Sequence, residues 1–216
     1  MPSNRTVLAF DTSAAHCAAA LLTDGAIIAA RQKEMGRGQA ERLIPLLEEV
    51  LAIAGKTWAD LDTIGVGVGP GNFTGIRIGV AAARGLALSL GIPAIGVSTF
   101  ETLKFGHSSD VTALVDARQD RMYLERPDAT PAGPFDLDQL RQRLATGTGH
   151  SFVGHRAEEI AELIGGESRE TVYPIAHAIA FVAQGRCEAP MSRPTPLYLK
   201  AADAAPPRDP ALVILP

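Results

Sequence analysis

The run Gly65-Val66-Gly67-Val68-Gly69-Pro70-Gly71-Asn72-Phe73-Thr74-Gly75-Ile76-Arg77 gathers residue types that can receive an anion. Gly69 and Gly71 bracket Pro70, which fixes its own φ while the glycines permit positive φ on either side. Free N–H groups at such a turn suit phosphate or another negative group. Ahead of the turn, Val66 and Val68 alternate with glycines, so one strand face lacks side chains and admits another backbone. Asn72 or Thr74 is placed to cap a following helix. Two familiar phosphate motifs are excluded. A Walker A loop needs Gly-Lys-Ser/Thr, and no lysine stands between Lys56 and Lys104. A dinucleotide fingerprint begun at Gly69 needs a third glycine where Thr74 stands, and an acid after the next strand, where Ile95-Gly96-Val97 has none. Two readings stay open, an anion cradle and a purely structural turn.

The elements that must position this turn follow from the pattern around it. The chain has 216 residues, enough for one large domain or two small ones, and 46% of them are hydrophobic, ample for a core. The net charge of −4 argues against unaided nucleic-acid binding. Cys17 and Cys187 lie far apart with no CxxC, which suggests reduced thiols and a cytoplasmic protein. The N-terminus runs straight into a strand with no signal-peptide pattern. The apolar stretch from Ile76 to Val97 is broken by Arg77, Arg84 and Pro93, so it reads as a helix plus a strand, not a membrane span.

Strands are expected at 7–10 (ending in Asp11-Thr12-Ser13), 16–22, from 26, 64–68 and 94–97; helices are expected at 39–54 and 74–90. This is β-β-β-α-β-α-β. A second half starts at Val111, with a strand to Asp116 and a hairpin partner over 120–125, so Asp116 echoes Asp11. Residues 127–134 read as a loop, 157–164 and 175–185 as short helices, and the proline-rich chain from Pro190 as an extended tail. We divide the chain into an N-terminal unit, 1–102, and a smaller C-terminal unit, 103–216.

Gly75, Gly79, Ala83 and Ala87 repeat at i+4 on the second helix, a face that admits close backbone approach. Packing on the chain's own sheet explains that stripe equally well. The first helix, however, carries apolar residues on two sides, and one sheet covers only one. Together these favour a helix-to-helix contact with a partner chain through Leu43, Leu46, Leu47, Val50, Gly75, Ile78, Gly79, Ala82, Ala83 and Leu86.

Asp11-Thr12-Ser13, the stretch Gly69 to Gly79, Gly85-Leu86-Ala87 and Gly96-Val97-Ser98-Thr99 resemble the TsaB (YeaZ) family, of the peptidase M22-like superfamily. Asp116-Ala117-Arg118 and Pro196-Leu197-Tyr198-Leu199 fit its second half. The resemblance implies an α/β, actin-like (ASKHA, ribonuclease H-like) fold of two similar subdomains. It implies a role in making N6-threonylcarbamoyladenosine at position 37 of tRNAs that read ANN codons. In that role the chain is a non-catalytic subunit that binds and activates its paralogue TsaD, joined by the ATPase TsaE. The isolated chain would be a homodimer, with tRNA met only through the complex and no membrane involved. No cofactor is expected of the chain itself; any ATP or ADP would lie at the interface with TsaD and TsaE. An actin-like fold would put Asp11, Thr12, Ser13, Gly69, Gly71 and Asp116 where phosphate binds, or these are turn residues inherited by a paralogue without an ATP site.

TsaD holds its metal through His-x-x-x-His, and here Thr99 and Leu103 stand at those positions. Leucine cannot ligate a metal and threonine is a poor ligand. His16, His107, His150, His155 and His177 show no pair at ligand spacing, so no metal site is expected, and a metal-dependent glycoprotease is disfavoured. A sugar- or acetate-kinase-like ATPase would need two phosphate loops and a larger second half. The chain also departs from the family, carrying Gln39-Ala40-Glu41 where His-Ser-Glu is common.

Overall fold

A computed structural model describes residues 5–108, 110–127, 129–144, 150–187 and 192–199. The proline tail expected from Pro190 therefore falls in part outside the described residues, as do Pro206, Pro207 and Pro210. Two five-stranded sheets form the two lobes. The first contains β1 (Thr6–Asp11), β2 (His16–Thr23), β3 (Ala26–Glu34), β4 (Thr63–Gly67) and β5 (Ala94–Val97), in the order β3-β2-β1-β4-β5. The second contains β6 (Val111–Asp116), β7 (Met122–Glu125), β8 (Ala132–Phe135), β9 (Ser151–Gly154) and β10 (Glu167–Arg169). Its order is β8-β7-β6-β9-β10 read from one edge, the first sheet's order repeated. In each, the first strand pairs antiparallel with the second and parallel with the fourth.

β1 is buried along its whole length, and its alternation explains the layers. Leu8 and Phe10 face a core shared with α1 (Gln39–Ile53) and α2 (Phe73–Leu90). Val7 and Ala9 face the other way, onto α6 (Ile175–Arg186). The glycine face of β4 also receives α6: a side chain at Gly65 would press on Ile179 and Ala183 at 3.0 and 3.1 Å. The expected naked strand face is thus filled by helix side chains. By length and composition α2 would cross a membrane; here it lies on the first sheet with one side buried.

The helices cross over between the lobes. α3 (Thr99–Lys104) follows β5 of the first sheet but packs Phe100 and Leu103 on Val111, Ala113 and Val115 of the second. α6 follows the second sheet in sequence but packs on the first. α4 (Leu137–Leu144) and α5 (Ala157–Ile164) cover the outer face of the second sheet. Phe105, just after α3, stacks on Phe181 of α6 at 5.7 Å, and Arg186 of α6 pairs with Glu101 of α3.

Elements read from the sequence recur within one or two residues, with β3 running on to Glu34. Where a loop is expected over 127–134, the structure forms β8 from Ala132, paired to β7. α3, α4, β9 and β10 carry too little periodicity to be read from sequence; each spans eight residues or fewer.

Candidate functional site

The Gly69–Asn72 turn and the end of β1 meet at the mouth of a cleft between the lobes. The cleft holds about 410 Å³ and is lined by Ser13, Pro70, Gly71 and Asn72 on one side and by Asp116, Arg118, Tyr123 and His155 on the other. The glycines exist to seat the Asp11–Ser13 turn. A Cβ at Gly71 would overlap the Ser13 carbonyl oxygen, one at Gly75 would overlap that of Thr12, and one at Gly79 would stand 2.8 Å from Thr12 Oγ1. Hydrogen bonds close the same contact: Thr12 Oγ1 donates to Gly75 O at 2.7 Å and Asn72 N donates to Ser13 O at 2.6 Å.

Three N–H groups at this turn and the helix start, those of Asn72, Thr74 and Gly75, are bonded within the chain. Asn72 caps α2, its Oδ1 accepting from Thr74 N (3.0 Å) and Gly75 N (3.2 Å). Asn72→Ala is expected to cost about 1 kcal/mol in urea unfolding, the usual loss of an N-cap. Gly69 is buried, and its carbonyl accepts from Thr99 N at 2.8 Å. Thr99 Oγ1 donates to Pro70 O at 2.8 Å. Thr99 therefore ties α3 to the turn.

Asp11 is fully buried behind the cleft. Its carboxylate accepts from Ser13 N at 3.0 Å and Ser13 Oγ at 2.7 Å, and His16 Nε2 lies 3.5 Å away. Gly67 is bare because a side chain there would strike this carboxylate at 2.5 Å. Burial lowers the His16 pKa, but Asp11 by hydrogen bonding and charge, helped by Glu34, more than offsets it, and the net shift is upward. A raised folded-state pKa means stability that is complete below the ordinary value of 6.5 and is lost as pH rises through the folded value. Urea stability is expected to fall as pH rises above the ordinary value of 6.5, and His16→Asn to flatten that slope. An NMR titration of the imidazole gives the pKa directly.

Of the residues expected at phosphate, Ser13, Gly71 and Asp116 line the cleft. Asp11, Thr12 and Gly69 do not; they are buried and hold the turn from behind. Asp116 is exposed and accepts from Arg118 N at 2.8 Å, and His155 Nε2 lies 3.9 Å from it. Arg118, Gln119 and Asp120 follow with φ of 62, 52 and 54°, three consecutive non-glycine residues in the left-handed region. Sequence reasoning missed this turn, because no glycine marks it. Burial pushes the Cys17 thiol up to about 11, so it is not a nucleophile at neutral pH. No group of three His, Cys, Asp or Glu side chains with metal-binding geometry occurs among the described residues.

The expected partner surface needs correction. Leu43, Leu46, Leu47, Val50, Gly75, Gly79 and Ala83 are buried in the chain's own core, packed on the first sheet or on the Asp11–Ser13 turn. Ile78, Ala82 and Leu86 are half-buried between that core and solvent. The outward side of α2 presents these together with exposed Ala81, Gly85 and Leu88, the last 82% exposed. α1 adds exposed Ile44 and Ile53. Gln39 is buried, and its amide donates to Met35 O at 3.2 Å.

Two lobes of one strand order, closed on a cleft, make this an actin-like α/β protein. The family model described as "TsaD: tRNA N6-adenosine threonylcarbamoyltransferase" matches residues 28–130. The Escherichia coli "tRNA threonylcarbamoyladenosine biosynthesis protein TsaB" is 37% identical over 122 residues, 54% of this chain and 52% of that protein. A solved Pseudomonas aeruginosa structure described as similar to peptidase YeaZ superposes with a TM-score of 0.72 at 25% identity, over 91% of this chain and all of that one. The chain is thus similar to the TsaB (YeaZ) family in sequence and in fold. It spans about half the length of the curated relatives it matches. The Acidaminococcus fermentans (R)-2-hydroxyglutaryl-CoA dehydratase component A (TM-score 0.51, 11% identity, 85% of this chain and 99% of that one) shares the fold alone.

Proposed function

We propose that the chain is a non-catalytic subunit that binds and activates TsaD for transfer of a threonylcarbamoyl group to N6 of adenine 37 in tRNAs reading ANN codons. The observation that carries this reading is the outward side of α2. Gly85 sits in mid-helix, exposed, and among the described residues nothing beyond its chain neighbours and its own helix backbone lies within 4 Å of where its side chain would be. An exposed helical glycine costs about 1 kcal/mol relative to alanine, and nothing among the described residues requires this one. Close approach of a second backbone gives it a purpose, and the flanking Ile78, Ala81, Ala82 and Leu88 supply apolar contact. Symmetric use of the same side makes a homodimer of the isolated chain. The family resemblance supplies TsaD as the occupant and TsaE as the third protein. The chain then works where those proteins work, in the cytoplasm, and meets tRNA through them.

In this reading the Asp11 region is scaffold. Its acid accepts hydrogen bonds from Ser13 and faces His16 at 3.5 Å, and its glycines seat β1's turn. ATP or ADP belongs to the interface with TsaD and TsaE and not to a site of this chain alone. Size-exclusion chromatography with light scattering tests the reading. A dimer alone that converts to a one-to-one complex on adding TsaD is expected; a monomer that ignores TsaD contradicts it.

A further inference from the structure

We propose that residues 193–199 form a strap that locks the Gly69–Asn72 turn, and so ties closure of the cleft to the head of α2. Pro194 and Pro196 carry no N–H and fix φ, so this stretch docks at little cost in backbone freedom. Pro194 is buried against Gly96, where a Cβ would stand 3.3 Å from Pro194 Cβ. Leu197 N donates to Val68 O at 2.8 Å, and its side chain packs on the first lobe's core. Tyr198 stacks on Phe73 with ring centroids 5.0 Å apart, and Arg77 lies over the same Phe73 ring at 5.3 Å. Leu199 packs on the second lobe's cluster around Phe100 and Tyr123.

Val68 and Phe73 are the residues on either side of the turn. The strap therefore grips both ends of the turn from outside, while Ser13 and Thr99 hold it from the cleft side. Leu197 packs against one lobe's core and Leu199 against the other's cluster, so the strap spans the two lobes. Opening the cleft pulls the strap away and uncovers Phe73 at the head of α2; docking the strap does the reverse. This coupling is a property of the isolated chain and stands apart from the identity of any partner.

Hydrogen exchange measured by mass spectrometry on the full chain tests it. Tyr198→Ala and Phe73→Ala remove the stack from either side, and Leu88→Ala on the same helix is the control. In both stack variants, amides within 69–76 and that of Leu197 are expected to exchange about tenfold faster or more, with β1 and β2 unchanged. Tyr198 is 46% exposed, so its loss leaves the core intact should Phe73→Ala fold poorly. Unchanged exchange over 69–76 in the folded variants overturns the strap, whether or not 193–199 accelerates. So does a Leu197 amide that is already unprotected in the parent chain.

Discussion

Gly75→Ala is expected to lower the stability of this protein by about 3 kcal/mol or more, an unusually large effect for one methyl group. The added Cβ would overlap the Thr12 carbonyl oxygen, which is backbone and cannot rotate away. Relief requires α2 to move off the Asp11–Ser13 turn. That movement breaks the bond from Thr12 Oγ1 to Gly75 O and the one from Asn72 N to Ser13 O. Gly85→Ala, on the same helix, is the matched control. Its Cβ enters open space in the single chain, so at protein concentrations where the chain is monomeric helix propensity alone applies, and stability is expected to rise by about 0.5–1 kcal/mol. Urea unfolding of the two variants beside the parent chain reads both signs. Equal effects would mean that the glycines of α2 serve propensity and not docking.

The second large effect separates the core from the partner surface. Gly85→Arg is expected to keep or raise stability and to weaken binding to TsaD about 30-fold or more, the roughly 2 kcal/mol that defines an interface hot spot. The arginine has room in the free chain and none against a close-packed helix. Leu46→Glu loses binding for a different reason: Leu46 is 1% exposed, and a buried unpaired carboxylate unfolds the chain. Isothermal titration with TsaD, paired with circular dichroism of each variant, distinguishes them. A folded Gly85→Arg chain with parental affinity would move the interface elsewhere.

The first lobe was legible because its elements are long and strongly patterned. β1 has an apolar centre from Val7 to Phe10, and α2 has clear ends, with Asn72 as cap and Gly91 in the left-handed conformation at its C-terminus. The second lobe was legible only at β6, β7, α5 and α6; its other elements are too short for periodicity to speak. What sequence order hid is the crossing of α3 and α6, each packed on the other lobe's sheet. Chain order suggests that an element packs with its neighbours, and only Ala9, Gly65 and Ala18, small residues on one face of the first sheet, hint that a helix must come in from elsewhere. The same ambiguity misplaced the partner surface. Apolar residues on two sides of α1 mark both a core stripe and an outer patch, and spacing alone does not say which is which. The Gly-Pro-Gly turn, open between cradle and scaffold in sequence, makes structural contacts in the fold: the N–H groups of Asn72, Thr74 and Gly75 end on Ser13 and Asn72.

The measurement that bears most directly on the central claim is reconstitution of threonylcarbamoyl transfer to tRNA by TsaD and TsaE, with and without this chain. The account predicts transfer only when the chain is present, and its loss when Gly85→Arg replaces the parent. Transfer that proceeds equally without the chain would contradict it.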